Sequence, residues 1–136
     1  METAKKLIFV FIVLEIIFSI LLVYTSHSGN NLCLPGFNCE GVQNSPYGNF
    51  LGIKLSTLGV ISFSILLILF LLSLEHEKFK RLYLAATILG VAGAIYFLLI
   101  QAFILKMFCS TCVAVDSLMV IIFLFSLYDL RYRELN

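Results

Sequence analysis

Four cysteines carry the chemistry open to this chain. Cys33 and Cys39 stand with five residues between them, and Cys109 and Cys112 form a C-x-x-C pair inside "KMFCSTCVAVD", residues 106–116. Paired thiols can cross-link a fold, hold a metal or move electrons. A C-x-x-C alone can be half of a zinc site, a redox pair or a haem attachment. Haem attachment needs a following His, and residue 113 is Val. A metal site built from four cysteines would need all the thiols of the chain, but the Cys33–Cys39 spacing is wide for a zinc knuckle, so no metal ligands are assigned. On a helix, successive residues turn by about 100°, so positions 109 and 112 share nearly one face. A helix N-terminus stabilises a thiolate, the reactive form. Cys109 is expected nearer water, for exchange with another disulfide. Cys112, a turn deeper, is expected to meet an electron acceptor dissolved in lipid, which points to a quinone.

Other polar residues surround this pair in the sequence. Asp116 lies at i+4 from Cys112, on the same helical face. An acid inside a membrane helix is costly and is a functional candidate for proton handling. Its charge would oppose a Cys112 thiolate. Glu15 poses the same question in the first apolar run. Gln101 is placed to donate a hydrogen bond inside a helix bundle. Ser45–Pro46 reads as a helix start, with Ser at the N-cap and Pro at the first helical position. A short amphipathic helix is expected over Pro46–Leu51, carrying Tyr47 and Phe50 over the mouth of the bundle and ending at Gly52. Ser56 is expected to cap the second long helix. Ser45, Asp116, Phe50, Ser56 and Gln101 are thus the pocket or proton-handling candidates. His27 reads as an exposed loop residue.

The elements that position these residues follow from composition. Apolar residues make up 61% and charged residues 12%, against about 25% charged in soluble domains; mean hydropathy is +1.05. The surrounding medium is therefore lipid. No basic stripe exists to follow a nucleic-acid backbone. Four apolar runs, Leu7–Val23, about Leu55–Leu74, about Tyr83–Leu105 and about Phe108–Tyr128, each approach the roughly 20 residues that span a bilayer. They are continuous rather than alternating, which argues against a β-barrel. The expected fold is an all-α four-transmembrane-helix bundle with a short horizontal helix in the outer loop. It forms one domain over 1–136, with helices at about 5–25, 55–74, 82–105 and 108–129 and a redox loop at 26–54. Lys5–Lys6 before an apolar run resembles a secretory signal, but that run is long and no A-x-A site follows, so a retained helix is expected.

Charge assigns the sides. Lys5, Lys6, Lys78, Lys80, Arg81, Arg131 and Arg133 fall on one side of the bundle, and Lys54 and Lys106 on the other. The positive-inside tendency puts both termini in the cytoplasm and all four cysteines on the extracytoplasmic side of the plasma membrane, where disulfides persist. The competing class is a structural four-helix membrane protein with stabilising disulfides or a metal site of all four cysteines.

In combination, the two loop cysteines, Ser45 six residues after Cys39, the stretch "SPYGNFLGIKLS" and the C-x-x-C opening the last helix resemble the vitamin K epoxide reductase family. The likeness is to its prokaryotic disulfide-forming quinone reductases, similar in function to the DsbB proteins. The resemblance covers nearly the whole chain. It implies that Cys33 exchanges with a thioredoxin-like, DsbA-like extracytoplasmic partner and that Cys33–Cys39 is the shuttle disulfide. It implies further that Cys39 passes electrons to Cys109 and that Cys112 faces a quinone of the ubiquinone or menaquinone type. Ser45 matches the family serine near the redox centre. Animal members carry Tyr where this chain has Asp116, and an Asn near the mouth of the second helix where it offers Ser56 and Thr57. Quinone reduction, which the cysteines carry, is therefore expected rather than epoxide reduction. Many bacterial relatives carry a fused thioredoxin-like domain; here the partner is expected to be a separate protein.

Overall fold

The computed structural model describes residues 2–28 and 33–135. Its long helices are α1 (Glu2–Ser28), α3 (Leu55–Glu75), α4 (Glu77–Leu99) and α5 (Ser110–Leu135). A π-helical turn, Ile100–Leu105, continues α4. All four are long and apolar enough to cross a membrane. They run alternately up and down, and α1 packs against both α3 and α5, while α4 packs against the same two. This closes a four-helix membrane bundle. The end of α1, the start of α3, the π turn and the start of α5 meet at one end.

Burial follows the helical period. On α1 the buried residues are Ala4, Ile8, Ile12, Glu15, Ser19, Leu22 and Thr25, a single stripe at steps of three and four. Phe9, Val10, Ile17 and Ile20 on the other side are exposed, as lipid-facing residues are. The main core joins Ile8 and Ile12 to Leu66, Phe70, Met119 and Ile122. Small and polar side chains complete the helix contacts: the Tyr83 and Ser126 hydroxyls are 2.8 Å apart, and the Tyr83 ring lies 5.5 Å from that of Phe70.

Several boundaries differ from the sequence expectation. α1 continues through the polar residues Thr25–Ser28, with the Thr25 and Ser28 hydroxyls donating to the carbonyls of Leu22 and Tyr24. The gap expected between the helices at about 55–74 and 82–105 shrinks to His76, because the charged residues after it form the first turns of α4, where Lys80 pairs with Glu77. These are good helix formers, which a hydropathy reading assigns to a loop. Residues 29–32 of the expected redox loop lie outside the described residues.

The expected helix over Pro46–Leu51 is a single 3-10 turn, Pro46–Gly48. After it the chain turns extended, and β1 (Asn49–Phe50) pairs antiparallel with β2 (Ile53–Lys54). Leu51 and Gly52, at φ 51° and 82°, form the two-residue turn that such a hairpin requires. The short α-helix of this region is instead α2, Cys39–Gln43. Ser56 does not cap α3: Lys54 precedes the first residue, Leu55, and no side chain caps it.

Candidate active site

The structure pairs Cys33 with Cys39 and Cys109 with Cys112, with Cα separations of 6.0 and 5.1 Å. Both disulfides belong to one apolar cluster with Leu22 and Val42, at the end of the bundle where α5 begins. Asn38 builds much of this junction. Its carboxamide oxygen accepts from the Gly41 N–H at 2.9 Å, capping α2. Its backbone N–H donates to the Phe108 carbonyl at 2.9 Å, and its side-chain nitrogen donates to the Met107 sulfur at 3.2 Å. The loop that carries Cys33 and Cys39 is thereby fastened to the segment entering α5. Ser110 sits between the pairs. Its hydroxyl lies 3.7 Å from the Cys39 sulfur and donates to the Cys33 sulfur at 3.8 Å, while accepting from the Leu34 N–H at 3.3 Å.

Cys109 occupies the N-cap position of α5. Its carbonyl accepts from the Val113 N–H at 2.9 Å, and its sulfur accepts from the Cys112 N–H at 3.2 Å. A sulfur held by the free N–H groups of a helix start is favoured as a thiolate. The backbone N–H of Cys109 donates to Gln101 Oε1 at 3.1 Å. Gln101 therefore accepts at this site, rather than acting only as the expected donor. It reaches Cys109 from the π turn, a distortion common at functional sites. Lys106, with φ of 50°, then ends that turn.

One expectation is reversed by the fold. The sequence pattern places Cys109 nearer water than Cys112, yet Cys109 is 0% exposed, while Cys112 is half-buried. The cause is tertiary: the cysteine loop and Leu22 fold over the start of α5. In the loop pair, Cys39 is buried and Cys33 is half-buried. A protein arriving from water thus has better access to Cys33 than to the other member of its pair.

Below the cysteines lies a cavity of about 240 Å³ bounded by all four long helices and the 3-10 turn. Cys112, Asp116, Gln101, Ser45, Ser56 and Lys54 are in its wall, which is otherwise mostly apolar. Cys109 is not. Phe50, expected in the pocket, lies on the hairpin outside it and is 59% exposed. Ser45 precedes the 3-10 turn as expected, but its hydroxyl does not cap that turn; it donates to the Val42 carbonyl at 2.7 Å, closing the last turn of α2. Sequence reasoning missed Lys54 and Ser110 as site residues. The ammonium of Lys54 donates to the Ser26 hydroxyl beside the cavity. Its signal in the sequence was a cation on the weakly basic side. Ser110 had no signal beyond lying inside the C-x-x-C.

The geometry can relay electrons by successive thiol–disulfide exchange from Cys33, through Cys39 and Cys109, to Cys112 at an apolar cavity. No curated protein matches the chain. The family comparison agrees with the four-helix bundle and the two cysteine pairs: the model of the vitamin K epoxide reductase family matches residues 6–127, and the chain belongs to that family of membrane oxidoreductases.

Proposed function

We propose that this protein reoxidises a thioredoxin-like, DsbA-like extracytoplasmic protein and passes the electrons to a membrane quinone, supporting disulfide formation outside the cytoplasm. The observation that carries this reading is the stacking of two disulfides over one apolar cavity, with only the second pair reaching the cavity wall. Family membership supports the use of a thioredoxin-like partner and a quinone in general. The charge distribution supports the sides: Lys54 and Lys106 accompany the cysteine end, and the seven other Lys and Arg residues accompany the termini.

In the cycle, a partner thiolate attacks Cys33 and the partner leaves oxidised. The Cys39 thiolate attacks Cys109, freeing Cys112. The buried position of Cys109 suits this order, since Cys39 lies in the same cluster and bulk thiols are kept away. The helix start stabilises charge on the Cys109 sulfur, and the same N–H groups serve the mixed disulfide as it breaks. Cys33 then attacks Cys39 of the mixed disulfide, re-forming Cys33–Cys39 and releasing Cys109. The Cys109 and Cys112 sulfurs give two electrons to the quinone, which takes up two protons to become quinol, as Cys109–Cys112 closes. Asp116, in the cavity wall, handles a proton there. The cavity falls slightly below the usual range for whole ligands, about 300–1,000 Å³, which suits a flat ring whose tail stays in lipid. Ser45 and Ser56 offer hydroxyls to such a ring.

The test is trapping. With Cys39→Ala, the Cys33 thiolate attacks the disulfide of the oxidised partner, and the mixed disulfide, which Cys39 can no longer resolve, should accumulate as a reductant-sensitive band on a gel. Trapping that instead requires Cys109 or Cys112, or no adduct with any thioredoxin-like protein, would overturn the proposed order.

A further inference from the structure

Among the described residues, Glu15 is the one fully buried carboxylate, and the cycle above leaves it unused. It sits midway along α1 and is 0% exposed. Neither of its carboxyl oxygens has a hydrogen-bond partner. Burying a carboxylate without partners costs several kcal/mol, by roughly the penalties measured for isolated ions, unless it carries a proton. A fold gains nothing from that cost, so the group needs another explanation.

Its surroundings supply one. One turn further along α1, Ser19 is in the wall of the large cavity, as is Asp116 on the neighbouring α5. Two turns back along the same buried stripe, Ile8 is in the wall of the cavity that Tyr83 and Ser126 face. Tyr83 and Ser126, 2.8 Å apart, face a second, smaller cavity of about 30 Å³ near the termini. That is about the volume of one water molecule. Lys80, Asp129 and Arg133 also line it, and Arg133 pairs with Asp129 at 3.4 Å. Thr87, fully buried, lies one turn along α4 from Tyr83. α3 brings no ionisable side chain to this level, its only one being Glu75 at its last residue. Polar groups therefore recur from the termini end to the large cavity through an otherwise apolar bundle, and Glu15 occupies the middle.

We propose that Glu15 is a proton relay joining the termini end of the bundle to Asp116, so that the protons consumed at the cavity enter from the side opposite the cysteines. The inference rests on the quinone-reductase reading above. Oxidation of the Cys109 and Cys112 thiols to their disulfide releases two electrons, which the quinone takes up with two protons to become quinol. Asp116 gives each proton in turn and is reprotonated by Glu15. Glu15 is recharged from water at the small cavity through Tyr83 and Ser126. The two protons of the partner's dithiol leave into water at the cysteine end. Each quinol then moves two protons' worth of charge across the membrane. Glu15 acts through Asp116, so it positions and supplies a proton without touching substrate.

The whole protein is placed in vesicles in one orientation, with a pH dye on the termini side. A dithiol is added on the cysteine side and a short-chain ubiquinone in the lipid. Uptake of two protons from the termini side per quinol is expected. Glu15→Gln should abolish that uptake and slow quinol formation by about tenfold or more, with dithiol exchange at Cys33 unchanged. Glu15→Asp should restore uptake. If Glu15→Gln does not fold, Tyr83→Phe serves, and should cut uptake from the same side. Quinol formed with protons drawn only from the cysteine side overturns the relay alone. A wild-type protein that forms no quinol overturns the functional reading along with it.

Discussion

Two glycines in the cavity wall, Gly48 and Gly93, should respond oppositely to one added methyl group. A Cβ on Gly48 would lie 2.3 Å from the Gln43 carbonyl oxygen and 2.8 Å from that of Val42. Both are backbone atoms at the end of α2, and neither can rotate away. Gly48 is also tied down, since its N–H donates to the Ser45 carbonyl at 3.0 Å. The 3-10 turn and α2 must separate by roughly an ångström, and overpacking of that kind costs about 1–3 kcal/mol. A Cβ on Gly93 meets nothing within 4 Å. There the change trades a helix-interior Gly for Ala, worth about 0.5–1 kcal/mol in favour of the variant. Thermal unfolding in detergent, with both disulfides intact, should rank Gly93→Ala at or above wild type and Gly48→Ala clearly below. Because α2 begins at Cys39, Gly48→Ala should also slow exchange between the pairs. Equal stability of the two variants would refute the packing argument and with it the fixed seat of α2.

Three further outcomes follow from the site. Gln101→Leu leaves the buried Cys109 N–H without its acceptor, so stability should fall by about 1–3 kcal/mol, read from denaturant unfolding; an unchanged midpoint would show that this bond contributes nothing. Ser110→Ala removes a contact to both loop sulfurs and the acceptor of the Leu34 N–H. Its stability cost should stay within about 1 kcal/mol, but stopped-flow transfer from Cys39 to Cys109 should slow several-fold. Asp116→Asn should impair quinone turnover more than the first exchange at Cys33, measured on the same preparation; equal losses in both would assign Asp116 a folding role.

The bundle was legible because four long apolar runs leave little else for the backbone to do in lipid. Their ends were less legible, because hydropathy marks where lipid begins and not where a helix does. Thr25–Ser28 are polar, and Glu77, Lys78, Lys80 and Arg81 are charged, yet all are helical. Cysteine proximity was legible from charge placement and run order. The inversion of exposure at Cys109 was not, since it depends on a loop about seventy residues away, fastened by Asn38 to Met107 and Phe108. Phe50 failed as a pocket residue for a local reason. The positive φ angles at Leu51 and Gly52 turn the segment into a hairpin and carry Phe50 out of the wall. The acceptor role of Gln101 depends on the π turn, which no apolar pattern encodes. Glu15 and Asp116 were visible as rare intramembrane acids, but their relation required the helices to be packed.

The most direct measurement of the central claim is dithiol-dependent quinone reduction by the purified protein, with Cys112→Ala as the comparison. Wild type should convert added quinone to quinol as the dithiol is oxidised. Cys112→Ala, folded and still able to exchange at Cys33, should form none. Unchanged quinol formation in that variant would contradict the assignment of Cys112 as the group that meets the quinone.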